Sequence, residues 1–181
     1  KFSLVMKEKT ILKIKKAVIK SVIKSGFDGV KIKDIAMETG SSEALLFKYY
    51  KDKNQLIRNV FIDIANEFYN FIKDRVDKSS ENEKINAFID SFIDFAVSKK
   101  NEFLFVLKMY QFHYDKFIKK TPKPIDILRE IAPNGKYGKE WTIAFIVSIL
   151  TRMLEFYLNN QISDDIEKLR KNIKEVINNI L

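Results

Sequence analysis

KIKDIAMETGSSEALLFKYY, residues Lys31 to Tyr50, decides the fold, because it reads as two short amphipathic helices meeting across a tight turn. Ile32, Ile35 and Ala36 fall at the i, i+3, i+4 spacing that buries one helical stripe, and the small Ala36 lets a second helix cross closely. Gly40 ends the first run, since a glycine just past a helix end takes the left-handed conformation with no Cβ penalty. Ser41-Ser42 behind it offers a hydroxyl cap for a new helix. That helix is expected to turn Leu46 and Tyr49 or Tyr50 inward and to leave Glu43, Ala44, Leu45, Phe47 and Lys48 outward. The reading is a helix-turn-helix.

Charge points the same way. The net charge of +9 is unevenly placed, with +7 in residues 1–51 and +2 in residues 52–181. A basic head suits a polyanion or an anionic membrane surface, and the helix-turn-helix in the same segment favours nucleic acid. The 181 residues contain no cysteine, which excludes disulfides and thiolate chemistry and fits a reducing cytosol. The only histidine is His113, with no nucleophile elbow, second imidazole or phosphate-cradling glycine loop beside it. The reading is therefore not an enzyme, with no cofactor and no metal. Trp141 to Leu150, the most apolar run, falls short of the ~20 residues of a membrane span, so no membrane partner is expected. The N-terminus lacks a secretory signal; Met6 stands closer to a natural start than Lys1, and residues 1–5 read as additions.

The chain otherwise reads as about nine helices and no strand, an all-α fold. Lys7–Ser25 has Ile11, Ile14, Val18 and Val22 on one stripe and stops at Gly26. Asp52 with Gln55 forms a capping box that starts a long helix at Lys53, carrying Leu56, Val60, Ile64, Phe68, Phe71 and Ile72 inward to about Val76. Further helices are expected around Ile85–Ala96, Asn101–Lys119, Ile125–Ile131, Tyr137–Asn160 and from a Ser163 cap to Leu181. Prolines at 122, 124 and 133 separate them. The missing hydroxyl at Lys31 is expected to be covered by Asp28 or Asp34.

Ser25-Gly26-Phe27, Asp34-Ile35-Ala36, Gly40, Ser42, Leu46-Phe47, Tyr49-Tyr50, Lys53 and Leu56-Ile57 together resemble the DNA-binding domain of the TetR family of bacterial transcriptional repressors. Lys31, Ser41, Glu43 and Leu45 depart from its usual pattern. The resemblance implies a helix-turn-helix domain at 1–52 and a helical ligand-binding and dimerisation domain at 53–181. It implies a cytoplasmic homodimer, paired through the last two helices, that leaves a palindromic operator when a hydrophobic small molecule binds. By the same resemblance Lys33, Ser42, Tyr49 and Lys53 grip phosphates, and Glu43, Leu45, Phe47 and Lys48 are the candidates for reading bases. The inducer is expected between the helices beginning near Ile85, Asn101 and Tyr137, with Phe92, Phe103, Tyr110, Trp141, Phe145, Ser148 and Arg152 as candidate contacts. For Arg152, pairing with Glu155 or with another helix's carboxylate is the favoured reading. Two alternatives stay open: a ligand-sensing or scaffold helical protein that does not read DNA sequence, and a basic membrane-surface protein.

Overall fold

The computed structural model describes residues 2–111 and 121–181, the side chains of residues 2–7 excepted. His113, Tyr114 and the expected continuation of a helix to Lys119 lie outside the described residues. Among the described residues there are nine α-helices and no strand. They are α1 (Phe2–Gly29), α2 (Ile32–Thr39), α3 (Glu43–Tyr49), α4 (Lys53–Asp77), α5 (Lys84–Ser98), α6 (Lys100–Gln111), α7 (Pro124–Ile131), α8 (Lys139–Leu158) and α9 (Ile166–Asn178), with one 3-10 turn at Glu81–Glu83. The chain divides into two compact units, one of residues 1–64 and 101–121 and the other of residues 65–100 and 122–181.

In the first unit, α1 is broken where the sequence places its stop: Gly26 sits at φ 69, ψ 174, outside helical space. The buried stripe of α1 is Ile14, Ala17, Val18 and Val22, whereas Ile11 is 44% exposed. Phe27 and Val30 fold back into the core with Ile35, Ala36 and Leu46. α2 packs on α1 and α3 on α2, and an ion pair of 2.8 Å from Lys20 to Glu38 ties the outer surface of the first contact. Leu56, Ile57, Val60, Phe61 and Ile64 of α4 are buried, as are Phe103, Phe105, Val106 and Met109 of α6. The Tyr110 ring meets Phe61 edge-on at 5.7 Å.

The second unit is built on α5, whose Phe88, Ile89, Phe92, Ile93, Phe95 and Ala96 are all buried. Helices α7, α8 and α9 pack on it. Phe68 stacks on Phe95 at 4.3 Å and meets Phe92 edge-on at 4.9 Å, offset and edge arrangements that suit the ring quadrupoles. Asp165, not Ser163, caps α9, accepting the Lys168 N–H at 2.9 Å. The aspartate lies one residue before the first helical position, where a side-chain oxygen can reach the third free N–H; Ser163 is too far back. Gly135 and Lys136 form a turn before α8, and the Lys136 N–H donates to the Ile180 carbonyl at 3.1 Å, fastening the end of α9 to that turn. At 20 residues α8 is longer than its most apolar run and is apolar enough to cross a membrane by length and composition. Thr142, Ile143, Ile146, Leu150, Leu154 and Leu158 nevertheless form a stripe buried in this unit, which makes α8 a core helix with an apolar outer face.

Candidate nucleic-acid interface

Gly40 has φ 66 and ψ 26, left-handed as its place after α2 requires, and Ser41 N–H donates back to the Ala36 carbonyl at 2.9 Å. That bond closes the end of α2 and turns the chain sharply into α3. Ser42 then caps α3, its hydroxyl oxygen accepting the Leu45 N–H at 3.1 Å. The hydroxyl keeps its own hydrogen to donate, so it can still serve a phosphate oxygen. At the start of α2 the cap is Lys31, and no side chain bonds there: neither Asp28 nor Asp34 covers the gap. α2 is held by burial of Ile35 and Ala36 instead.

Leu46 is the one α3 residue in the core. Tyr50 is half-buried, and burial, reinforced by the Asp63 carboxylate, pushes its phenol above the ordinary value. Tyr49 is exposed, so the inward tyrosine is Tyr50. Around the rest of α3, Glu43, Ala44, Phe47 and Lys48 are exposed and Leu45 is half-buried. Phe47, at 48% exposed, is a large apolar side chain held in water on a short helix. Glu43 lies in the first turn, where its charge favours the helix dipole. Lys33 is exposed on α2.

Lys53 is placed differently. Its ammonium donates to the Asp28 carbonyl at 3.1 Å and the Phe27 carbonyl at 3.5 Å, and lies 5.5 Å from the centre of the Phe27 ring. Asp52 caps α4 by accepting the Gln55 N–H at 2.8 Å, and the Gln55 side chain reaches back to the Lys51 N–H. The box therefore closes on Lys51 rather than on Asp52 itself.

The candidate ligand contacts are divided between the two units. Phe103 and Tyr110 belong to the first unit, Phe103 wholly buried. In the second unit Phe92 is core, while Trp141 is 61% exposed. Phe145 lies 5.8 Å from Trp141, and Ser148 and Arg152 follow along the outer face of α8. Within this unit Trp141, Ser148 and Arg152 are exposed and Phe145 is half-buried, while the buried stripe of α8 runs along its other side. Ser148 and Arg152 instead line an open groove with Ile149 and Met153 of α8 and Val176 of α9. Arg152 donates to Glu155 at 2.7 Å and lies over the Phe156 ring, which is the first of the favoured pairings.

Sequence reasoning missed an ion network in the second unit. Asp94 of α5 accepts from Arg75 of α4 and, at 2.7 Å, from Arg170 of α9. Arg170 also reaches Asp90 at 2.9 Å, and Lys174 pairs with Asp90 at 2.8 Å. Burial acts to raise the Asp94 carboxyl, but the hydrogen bonds from Arg170 and Arg75 outweigh it and hold the group below its ordinary value. The signal was present as two i, i+4 pairs of opposite sign, Asp90/Asp94 and Arg170/Lys174.

A short-turned pair of helices whose second member turns a mixed face to solvent, set in a basic trihelical head, defines a helix-turn-helix protein. Residues 16–60 match the sequence family described as bacterial regulatory proteins, tetR family. Among curated proteins nothing matches the chain. The fold of the whole chain is similar to a TetR family transcription regulator from Marinobacter aquaeolei, with 14% identity, a TM-score of 0.80 and 97% of each chain covered. It is also similar to the TetR family regulator PfmR from Thermus thermophilus, at 14% identity and a TM-score of 0.74, covering 91% of this chain and 96% of that one. A third likeness is the transcriptional regulator FadR from Bacillus subtilis in complex with stearoyl-CoA, at 14% identity and a TM-score of 0.69, covering 92% and 96%.

Proposed function

We propose that the protein is a ligand-responsive, DNA-binding transcriptional regulator: a cytoplasmic homodimeric repressor that leaves a palindromic operator when a hydrophobic small molecule binds. The observation that carries this reading is the solvent-facing side of α3, Glu43, Phe47 and Lys48, set by the Gly40 turn in a head that matches the tetR family. A helix so presented fits a major groove, and two copies fit half-sites about 34 Å or a multiple apart. The functional division is at Asp52, with the head at 1–52 and the ligand-binding and pairing body at 53–181. Lys33, Ser42 and Tyr49 hold phosphates, while Lys48 reads guanine, Glu43 a cytosine amino group and Leu45 or Phe47 a thymine methyl.

Pairing uses the outer faces of α8 and α9. Phe156 and Val176 are exposed, Ile149 and Met153 half-exposed, and an apolar strip along two adjacent helices suits an isologous four-helix contact. Stearoyl-CoA in the similar FadR supports an inducer with a long apolar part. The reading assigns the chain no catalytic step.

Selection from random-sequence duplexes tests the proposal. An enriched inverted repeat, bound many-fold better than a scrambled duplex and released by added salt, is the expected result. Salt-dependent binding with no enriched sequence would leave a basic scaffold in its place. Stearoyl-CoA is the first probe for release.

A further inference from the structure

We infer that Lys53 is a positioning residue for DNA reading, one that fixes the first turn of α4 to the α1–α2 connection, and that it does not grip a phosphate. The inference rests on the DNA-binding reading above and departs from it at this one residue. A lysine at a helix N-terminus invites a phosphate, because the ammonium, the dipole and the first N–H groups all favour an anion. Here both parts of that invitation are already taken. The chain leaves α1 after Gly29, and the Lys53 ammonium donates to the Asp28 carbonyl at 3.1 Å and, alongside the Val30 N–H, to the Phe27 carbonyl at 3.5 Å. The Phe27 ring, 5.5 Å away and buried, gives the ammonium an aromatic face on the same side. At the start of α4, the Asp52 carboxylate accepts the Gln55 N–H at 2.8 Å, putting a negative charge where a phosphate would dock.

The consequence is a chain of fixed parts. Phe27 belongs to the same core as Ile35 and Leu46, so a link from α4 to the Phe27 and Asp28 carbonyls sets the angle at which α4 leaves the helix-turn-helix. Losing it leaves α3 intact but mis-aims it.

Three variants of the full chain separate the roles: Lys53→Met keeps the stem and removes the donor, Lys53→Gln keeps a donor and removes the charge, and Lys53→Arg keeps both. Each is titrated by fluorescence anisotropy on the selected duplex and a scrambled one over a range of salt, with thermal melts and amide exchange alongside. For positioning, Lys53→Met loses about tenfold on the selected duplex, the size of a misplaced base contact, and much less on the scrambled one. Its salt slope stays that of the parent, the melting temperature falls and amides from Phe27 to Lys31 exchange faster. Lys53→Gln and Lys53→Arg recover most of each loss. A phosphate role predicts the opposite: Lys53→Met and Lys53→Gln both lose equally on the two duplexes, with a slope shallower by about 0.9 per protomer and an unchanged melt. That result would overturn the inference. Should Lys53→Met not fold, Lys53→Gln alone decides through its slope. Should the parent prefer no duplex, the DNA reading fails, and the melts and exchange still test the link.

Discussion

Alanine at Gly40 and alanine at Gly135 should cost very different amounts, although both glycines have positive φ. At Gly40 a Cβ meets nothing within 4 Å, so only the left-handed backbone opposes the substitution. That costs about 1–2 kcal/mol for alanine and less for asparagine, which tolerates the conformation. At Gly135, with φ 58, the Cβ would lie 2.3 Å from the Thr142 hydroxyl and 2.8 Å from the Ile180 carbonyl. Thr142 is buried, and its hydroxyl donates to the Asn134 carbonyl at 3.0 Å, so it cannot swing aside without losing that bond. Backbone strain and overpacking together come to about 2–5 kcal/mol. For a chain of this length each kcal/mol lowers the melting temperature by about 2–4 °C. Calorimetry on Gly40→Ala, Gly40→Asn and Gly135→Ala should therefore show a small loss, a smaller one and a large one. Anisotropy on the selected duplex should show Gly40→Ala weakened and Gly135→Ala, where folded, unaffected. If Gly40→Asn costs as much as Gly40→Ala, or Gly135→Ala no more than either, the argument from φ and open space is wrong.

Glu43→Ala should raise affinity for a scrambled duplex, by removing a carboxylate near phosphates, while narrowing the gap to the selected one; equal losses on every duplex would contradict the base-reading role. Phe156→Glu should halve the mass seen by sedimentation and leave the helical signal unchanged, since the side chain is 38% exposed and absent from the core; a dimer that persists would place the contact elsewhere. Arg170→Ala should destabilise the chain by about 1–3 kcal/mol at neutral pH, because the side chain, only 19% exposed, bridges Asp90 and Asp94, which would keep only Lys174 and Arg75 respectively. The Asp94 carboxyl has a folded value below its ordinary 3.8, so its stabilisation is present above that ordinary value and fades as pH falls through it towards the folded one. Melts of the parent should weaken below about pH 4, and those of Arg170→Ala should be flatter there.

The head was legible because its signals are local. A glycine at a left-handed position, a serine one residue before α3 and a small alanine at a helix crossing each carry their geometry in the residue type. The body was legible only as a set of helices. Aromatic and aliphatic periods show which residues of α5 or α8 share a face, but an apolar stripe looks alike whether it meets a ligand, the chain's own core or a second copy. Trp141, Phe145, Ser148 and Arg152 share a face by period, and the period alone does not say what that face meets. Lys53 shows a different limit: its charge and place in α4 were readable, while the Phe27 and Asp28 carbonyls that take its ammonium lie 26 and 25 residues earlier in the chain. Capping followed the same rule, since Asp165 displaced Ser163 by two residues of register that no propensity resolves.

Asp94 joins α4 and α9 through one side chain, with Arg75 on one oxygen and Arg170 on the other. A neutral residue at that position takes a carboxylate from two guanidinium groups at once, leaving Arg170 with Asp90 and Arg75 without its partner on α5. Relatives should therefore vary there by whole sets, keeping the aspartate with both arginines or dropping all three for apolar side chains. A family alignment would show this as a three-way covariation between positions far apart in the chain.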